Sequence, residues 1–334
     1  MDPRDVIAEW STAWRSALPA RTPAERAELL EETRQVIARL QEAARTDGRA
    51  GHALHRKTIL QSASATFEVA ATVPRPLQVG PFTPEAIWPA TLRFSSAFPV
   101  ARIDGIADQR GLAVRIVDAP RRLDLLATTG EAHHARDASA MLASLRAATL
   151  ASKGGIPARL GALSTLVRAL GVRDGLRMAR TVSRAAEAGV SIAMMTFYSR
   201  APFRLANFAV RYRFAAPVGV RETVQGSGGD ALVADLRQRL REGPLRWSFD
   251  LQGYLDPQRT PMDDHRVPWR SPWITIATLV VHREGHASEA PAFRAATGWV
   301  PTGLDGAVME PLGDLNMLRG VAYEVSQRGR GAAT

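Results

Sequence analysis

Five short runs decide the architecture: TFEVAATV (66–73), LQVG (77–80), ATLRFSSAF (90–98), GLAVRIV (111–117) and RLDLLAT (122–128). They are rich in aliphatic, aromatic and β-branched residues, and Pro and Gly break up the stretch between Ser64 and Thr128 that holds them. Short strands at such close spacing predict an antiparallel sheet or barrel. The same signature returns downstream in MMTFYS (194–199), FAVRYRF (208–214), LRWSFDLQGYL (245–255) and WITIATLVVHR (273–283).

Helical spacing dominates elsewhere. In residues 1–50, Thr22-Pro23-Ala24-Glu25 offers an N-cap with Pro at the first helical position, followed by Leu29, Leu30, Val36, Ile37 and Leu40; this predicts an N-terminal helical arm. Residues 138–190 read as helices broken at Gly154-Gly155, Pro157 and Gly171, inserted between two sets of strands. A last helix is expected within 305–330, over LGDLNMLRGVAYEVSQRGR (312–330). Strands, helices, strands and a final helix make an α+β chain, not a βαβ alternation. With no internal repeat and no clean linker, residues 51–334 read as one domain.

Composition narrows the chemistry. The 334 residues contain no cysteine, which excludes a disulfide scaffold, a thiol nucleophile, an iron–sulfur cluster and a thiolate zinc site. Net charge is +10, and Lys57 and Lys153 are the only lysines among 43 basic residues. Nucleic-acid modules and interleaved aromatics are missing, so no nucleic-acid partner is expected. Arginine forks do suit carboxylates and propionates. The 138–190 helices carry an excess of basic residues, read either as a solvated face or as a site for an amphipathic anion or membrane surface. No apolar leader and no run of ~20 apolar residues is present, giving the expectation of a cytoplasmic protein. Phosphate-loop, GxSxG, HExxH and paired-carboxylate motifs are also absent.

One pair on the last helix bears on metal chemistry. Arg319 and Tyr323 are spaced i, i+4 in RGVAY, which sets a guanidinium beside a phenol on one helical face. A cation within reach favours the phenolate that ligates iron, and the pair therefore predicts a lowered tyrosine pKa. A surface Arg beside a half-buried Tyr is far the commoner meaning of such a pair by itself.

Laid end to end, several segments resemble the haem catalases. These are HRK (55–57) followed by FEV (67–69), RFSSAF (93–98), ADQRGLAVRIV (107–117), LDLLATTGEAHHARD (123–137) and EPLGDLNMLRGVAY (310–323), in the family's order. The chain is shorter than a typical catalase and is more similar to the small catalase-related haem peroxidases, a group that includes allene oxide synthases; YSRAPFRLANFAVRY (198–212) strengthens that likeness. The resemblance implies an antiparallel catalase-like β-barrel with flanking helices and haem b as cofactor, bound in the barrel. It implies His55 as the distal acid–base, oriented by Ser95, and Tyr323 as the iron ligand supported by Arg319. Arg93, Arg328 and Arg330 would serve the propionates. Thr128 stands where the family has its distal asparagine, Met141 where a phenylalanine stacks on the haem, and His52 where the first propionate arginine falls.

The activity so implied is a haem-dependent peroxidase that reduces organic hydroperoxides or hydrogen peroxide through high-valent iron, with weak catalase activity because Thr128 replaces an amide donor. The expected partners are a small-molecule peroxide, a fatty-acyl hydroperoxide among the forms considered, and an organic electron donor, in a homo-oligomer with a membrane-surface contact in view. Two alternatives stand beside it: a catalase-fold binding or accessory protein without haem, and a lipid-hydroperoxide isomerase. His133 and His134 are read as distal or structural; His265, His282 and His286 as surface residues; Trp247, Trp269 and Trp273 as core.

Overall fold

The structure, a computed structural model, describes residues 2–43, 53–55, 57–97, 103–104, 108–118, 121–184, 189–219, 223–224, 228–283 and 308–329. Among the described residues there are ten strands: β1 (Lys57–Val69), β2 (Ile87–Ser96), β3 (Arg110–Asp118), β4 (Arg121–Thr129), β5 (Phe197–Tyr198), β6 (Phe203–Leu205), β7 (Phe208–Ala215), β8 (Leu245–Gly253), β9 (Ile274–Val281) and β10 (Met309–Pro311). Eight of them close an antiparallel barrel in the order β7-β5-β4-β3-β2-β1-β9-β8, sealed by β7–β8 pairing from Val210↔Gly253 to Ala215↔Ser248. Closure removes the exposed edges that an open sheet leaves. The short β6 and β10 extend the sheet from β7.

Strand alternation sorts the residues. Leu92 and Phe94 on β2, Leu112, Val114 and Ile116 on β3, Leu123, Leu125 and Ala127 on β4, and Trp247, Phe249 and Leu251 on β8 all join one buried core. Aromatic rings fill it: Phe249 lies 5.2 Å from Phe67 and 5.1 Å from Phe214 between centroids, and Trp247 lies 5.5 Å from Phe94. The intervening residues face outward. Because partners across an antiparallel pair share a face, the register aligns Thr58, Ser95, Gly111, Thr128 and Tyr198 in one outward row across five strands.

Helices cover that side. Six are described: α1 (Pro3–Ala8), α2 (Pro23–Ala43), α3 (Ala138–Ala151), α4 (Gly155–Arg184), α5 (Ala231–Glu242) and α6 (Gly313–Arg328). The cap read at Thr22 forms reciprocally: Thr22 Oγ1 accepts from Glu25 N at 3.2 Å, and the Glu25 carboxylate accepts from Thr22 N at 2.9 Å, a capping box. Leu29, Val36, Ile37 and Leu40 of α2 are buried with Leu142 and Leu145 of α3 and Leu315 and Leu318 of α6. The N-terminal segment is thus built into the helical layer. α4 breaks at Gly171, whose φ of 81° and ψ of 165° suit glycine.

Three elements differ from expectation. LQVG (77–80) forms no strand, since Pro74 and Pro76 set a 3-10 turn at Arg75–Leu77. The final helix starts at Gly313, not within 305–312, because Met309–Pro311 pair with β6. α5 went unread although Leu232, Leu236 and Leu240 recur at i, i+4 and are buried.

Candidate active site between the barrel and the helices

A cavity of about 960 Å³ lies between the outward row and the helices, outside the barrel and not within it as expected for the haem, because apolar side chains fill the barrel interior. Its barrel wall is formed by Arg93, Ser95, Gly111 and Thr128, its helical wall by residues of α3, α4 and α6, and His55 and Leu54 close it ahead of β1. The structure therefore brings His55, Ser95, Arg93, Thr128, Met141, Arg319 and Tyr323 to one chamber, although they span most of the chain length.

His55 is held by backbone and neighbour together. Its φ is 53°, in the left-handed region that non-glycine residues seldom enter. Its N–H donates to Ala97 O at 3.3 Å, and its carbonyl accepts from Arg93 Nη2 at 2.7 Å. The ring Nδ1 lies 3.1 Å from Ser95 Oγ, over Gly111, where no side chain intrudes. Burial, then Arg93, Arg319 and Arg200, hold the imidazole pKa down to about 3, so the ring is neutral at ordinary pH. A neutral imidazole tethered through one nitrogen is suited to proton transfer through the other.

Three guanidinium groups line the chamber wall here. Arg93 Nε donates to Thr58 Oγ1 at 2.9 Å. Arg319 donates to Ser199 O and to Asn316 Oδ1, both at 3.0 Å. Arg200 was not anticipated: it sits buried at a φ of 61° after β5, donating to Ala132 O at 3.1 Å and Gln109 Oε1 at 3.2 Å, and reaching Thr128 Oγ1 at 3.4 Å. No carboxylate pairs with it among the described residues, and burial, then Arg319, bring its pKa down to about 9. It remains a cation at neutral pH. Its signal was present in YSRAPF (198–203), an Arg two residues ahead of a Pro in a strand-ending turn.

Two histidines read as surface residues, His265 and His282, are not exposed, and two others reach the chamber. His133 and His134 stack at 4.4 Å and both line the cavity. His265, expected at the surface, is buried, its N–H donating to Arg136 O and its carbonyl accepting from His133 N, each at 2.9 Å. Burial holds His134 and His265 to about 3. His282 is half-buried with Nε2 3.0 Å from Thr66 Oγ1; His286 and His52 lie outside the described residues. Trp247 and Trp269 are buried, and Trp273 is half-buried beneath Arg213.

The α6 face explains which of its residues reach the chamber. Leu318, Arg319, Ala322, Tyr323, Ser326 and Gln327 line it, recurring at the three- and four-residue spacing of one helical face. Arg328, expected at a propionate, lies five residues beyond Tyr323, which is well round the helix. It points outward, exposed, and pairs with Glu324 instead. Arg330 lies outside the described residues. Tyr323 is half-buried because its ring forms part of the cavity wall, and its hydroxyl has no hydrogen-bond partner among the described residues. Burial raises its pKa, with Arg319 and Arg93 opposing, so the lowered phenol pKa expected from the Arg319 spacing is overridden by burial. Met141 on α3 lines the chamber and accepts through Sδ from Ser144 Oγ at 3.6 Å.

No family model matches the chain, and no curated protein matches it. Solved structures do. A bacterial catalase superposes with a TM-score of 0.58 at 16% identity, covering 85% of this chain and 58% of its own. A fungal catalase gives 0.59 at 15% identity, covering 85% and 60%. Catalase A from Saccharomyces cerevisiae gives 0.58 at 16%, covering 85% and 62%. The chain has the catalase fold, a closed eight-stranded antiparallel barrel with flanking helices, and spans about three fifths of the length of these catalases.

Proposed function

We propose that the protein is a haem-dependent peroxidase that reduces organic hydroperoxides or hydrogen peroxide with an organic electron donor and has only weak catalase activity. The observation that carries this reading is a neutral imidazole, His55, and an unpartnered phenol, Tyr323, opening on one chamber from different walls.

The residues present fit haem. Among the described residues no group of three or more His, Asp or Glu side chains is placed to hold a bare metal ion, so a metal ligated by Tyr323 alone needs a macrocycle for its other ligands. Leu126, Ala113, Met141, Leu145, Leu318 and Ala322 offer apolar walls for it. Arg93 and Arg200 offer cations for its carboxylates, Arg200 in place of the outward-turned Arg328. When bound, haem would supply redox-active iron, and an anionic phenolate ligand from Tyr323 would favour cleavage of a peroxide O–O bond.

The chain's own residues then move the protons. With its Nδ1–H donated to Ser95 Oγ, His55 keeps the Nε2 lone pair as base, takes one proton from the peroxide and returns it to the departing oxygen. Ser95 and the Arg93 contact to the His55 carbonyl fix the ring. Arg319, anchored to Ser199 and Asn316, keeps positive charge beside Tyr323. Thr128 presents a hydroxyl where an amide would supply an N–H donor, and that hydroxyl sits within reach of Arg200; holding hydrogen peroxide for disproportionation is thereby weakened.

Stopped-flow comparison of hydrogen peroxide with an alkyl hydroperoxide, following donor oxidation and oxygen evolution together, tests the proposal. Donor oxidation is expected to outrun oxygen evolution with both peroxides. Oxygen evolution faster than donor oxidation would overturn it.

A further inference from the structure

The cavity continues past the imidazole and phenol. Its lining runs along α3 through Ala147, Ala148 and Ala151 to Gly154 and Arg159 at the α3–α4 turn, and the last three are exposed. The chamber therefore has a mouth on the outer side of the helical layer.

The exposed surface of α4, which begins at that mouth, is both apolar and basic. α4 leaves Ile156 72%, Leu160 62% and Val172 64% exposed, with Leu176 at 38%. They form two i, i+4 pairs, each a short stripe on one side of its helical half. Lys153, Arg159, Arg168, Arg173 and Arg180 stand beside them, exposed and without a carboxylate partner among the described residues. Asp174 is spent on Arg177 at 3.3 Å and Arg266 at 3.5 Å. Clustered exposed aliphatics mark an interaction surface.

We propose that α4 seats the protein on an anionic lipid bilayer, aliphatic side chains at the headgroup–acyl boundary and arginines on lipid phosphates. Charge and chemistry select this occupant. A second copy of the same face would bring its unpaired cations against these. Nucleic acid would leave the aliphatic stripes uncovered, and α4 has no aromatic residue on which a base could stack. Among the described residues no helix is long and apolar enough to cross a membrane; the two halves of α4, which meet at the Gly171 break, would lie on the surface instead. The first half of α4, with Ile156 and Leu160 flanking Arg159, adjoins the cavity mouth, so an amphipathic hydroperoxide would pass from lipid to chamber. That consequence rests on the peroxidase reading; the seating does not.

The test is co-sedimentation of the full chain with phosphatidylcholine vesicles and with phosphatidylcholine–phosphatidylglycerol vesicles, at low and high salt. Binding is expected to the anionic vesicles only and to weaken as salt screens it. At roughly fivefold per interfacial cation, Arg168→Glu/Arg173→Glu/Arg180→Glu is expected to weaken binding by about 100-fold or more, and Ile156→Ser/Leu160→Ser by about tenfold. Equal binding to both vesicles, or to neither, overturns the proposal. So does displacement of anionic vesicles by duplex DNA, or a dimer in solution that Ile156→Ser/Leu160→Ser dissociates while vesicles are ignored. Should a variant lose its helical circular dichroism, the wild-type comparison across vesicle type and salt still decides. Peroxide turnover is not read in any arm, so failure of the peroxidase reading leaves this result intact.

Discussion

Gly111→Ala is the smallest change that should disable the site. A Cβ at this position would lie 2.5 Å from His55 Nδ1, 2.6 Å from its Cε1 and 2.9 Å from Ser95 Oγ. Ordinary non-bonded contact needs about 3.5–4.0 Å, so the imidazole must retreat by roughly 1 Å. Its backbone does not follow easily, tied as it is to Ala97 O and Arg93; the ring instead leaves Ser95. Misplacing a reacting group by about 1 Å costs on the order of 100-fold in rate, and the added methyl costs about 1–3 kcal/mol of stability. The assay is donor oxidation driven by an alkyl hydroperoxide in haem-loaded wild type, Gly111→Ala, His55→Gly and the double variant, glycine being chosen because it accepts the positive φ at 55. Gly111→Ala is expected to lower kcat/KM about 100-fold and His55→Gly by about 100- to 10,000-fold. In the double variant, alanine at 111 should cost little more, since the ring it strikes is gone. Full turnover in Gly111→Ala, or an equal cost with and without the imidazole, would refute the placement of His55 as the acid–base group.

Acid should loosen the fold through its buried histidines. His55, His134 and His265 are held to about 3 in the folded chain against 6.5 for the free side chain. Below pH 6.5 the unfolded chain gains protons that the folded one refuses, so stability is complete above that pH and declines as pH falls toward 3. The decline is about 1.4 kcal/mol per pH unit for each histidine; urea unfolding at pH 7 and pH 5 checks it, and equal midpoints would contradict it. Tyr212→Phe should cost about 1–3 kcal/mol. The Tyr212 hydroxyl donates to Leu126 O and accepts from Leu126 N, both at 2.9 Å, where β5, only two residues long, leaves that edge of β4 without a strand. A thermal midpoint unchanged by the substitution would show that water serves Leu126 equally well.

The barrel was legible because most of its strands carry strong local signals, and Ser95 and Thr128 were each reached through the segments that hold them. Register was not legible: nothing local to RFSSAF states that Ser95 faces Gly111, a pairing imposed by hydrogen bonds between strands. Arg328 shows the converse limit. The family resemblance implied a propionate role for it, but an offset of five from Tyr323 turns it to solvent on α6, where Glu324 captures it. Arg200 and His265 were missed because their burial depends on packing of distant segments. Arg200 lies after β5, yet its partners Gln109 and Ala132 flank β3 and β4. His265 is covered from the segment ahead of α3 through the His133 backbone. The phenol pKa followed the same pattern, since the Arg319 spacing was visible in sequence and the burial that outweighs it was not.

The most direct test of a Tyr323-ligated haem is the absorption and resonance Raman spectrum of the chain reconstituted with haem, wild type against Tyr323→Phe. Expected in wild type is a Soret band with ferric–phenolate vibrations, and in Tyr323→Phe the loss of those vibrations with weakened haem retention. A wild type that takes up no haem, or a Tyr323→Phe protein that keeps it with an unchanged spectrum, would contradict the assignment.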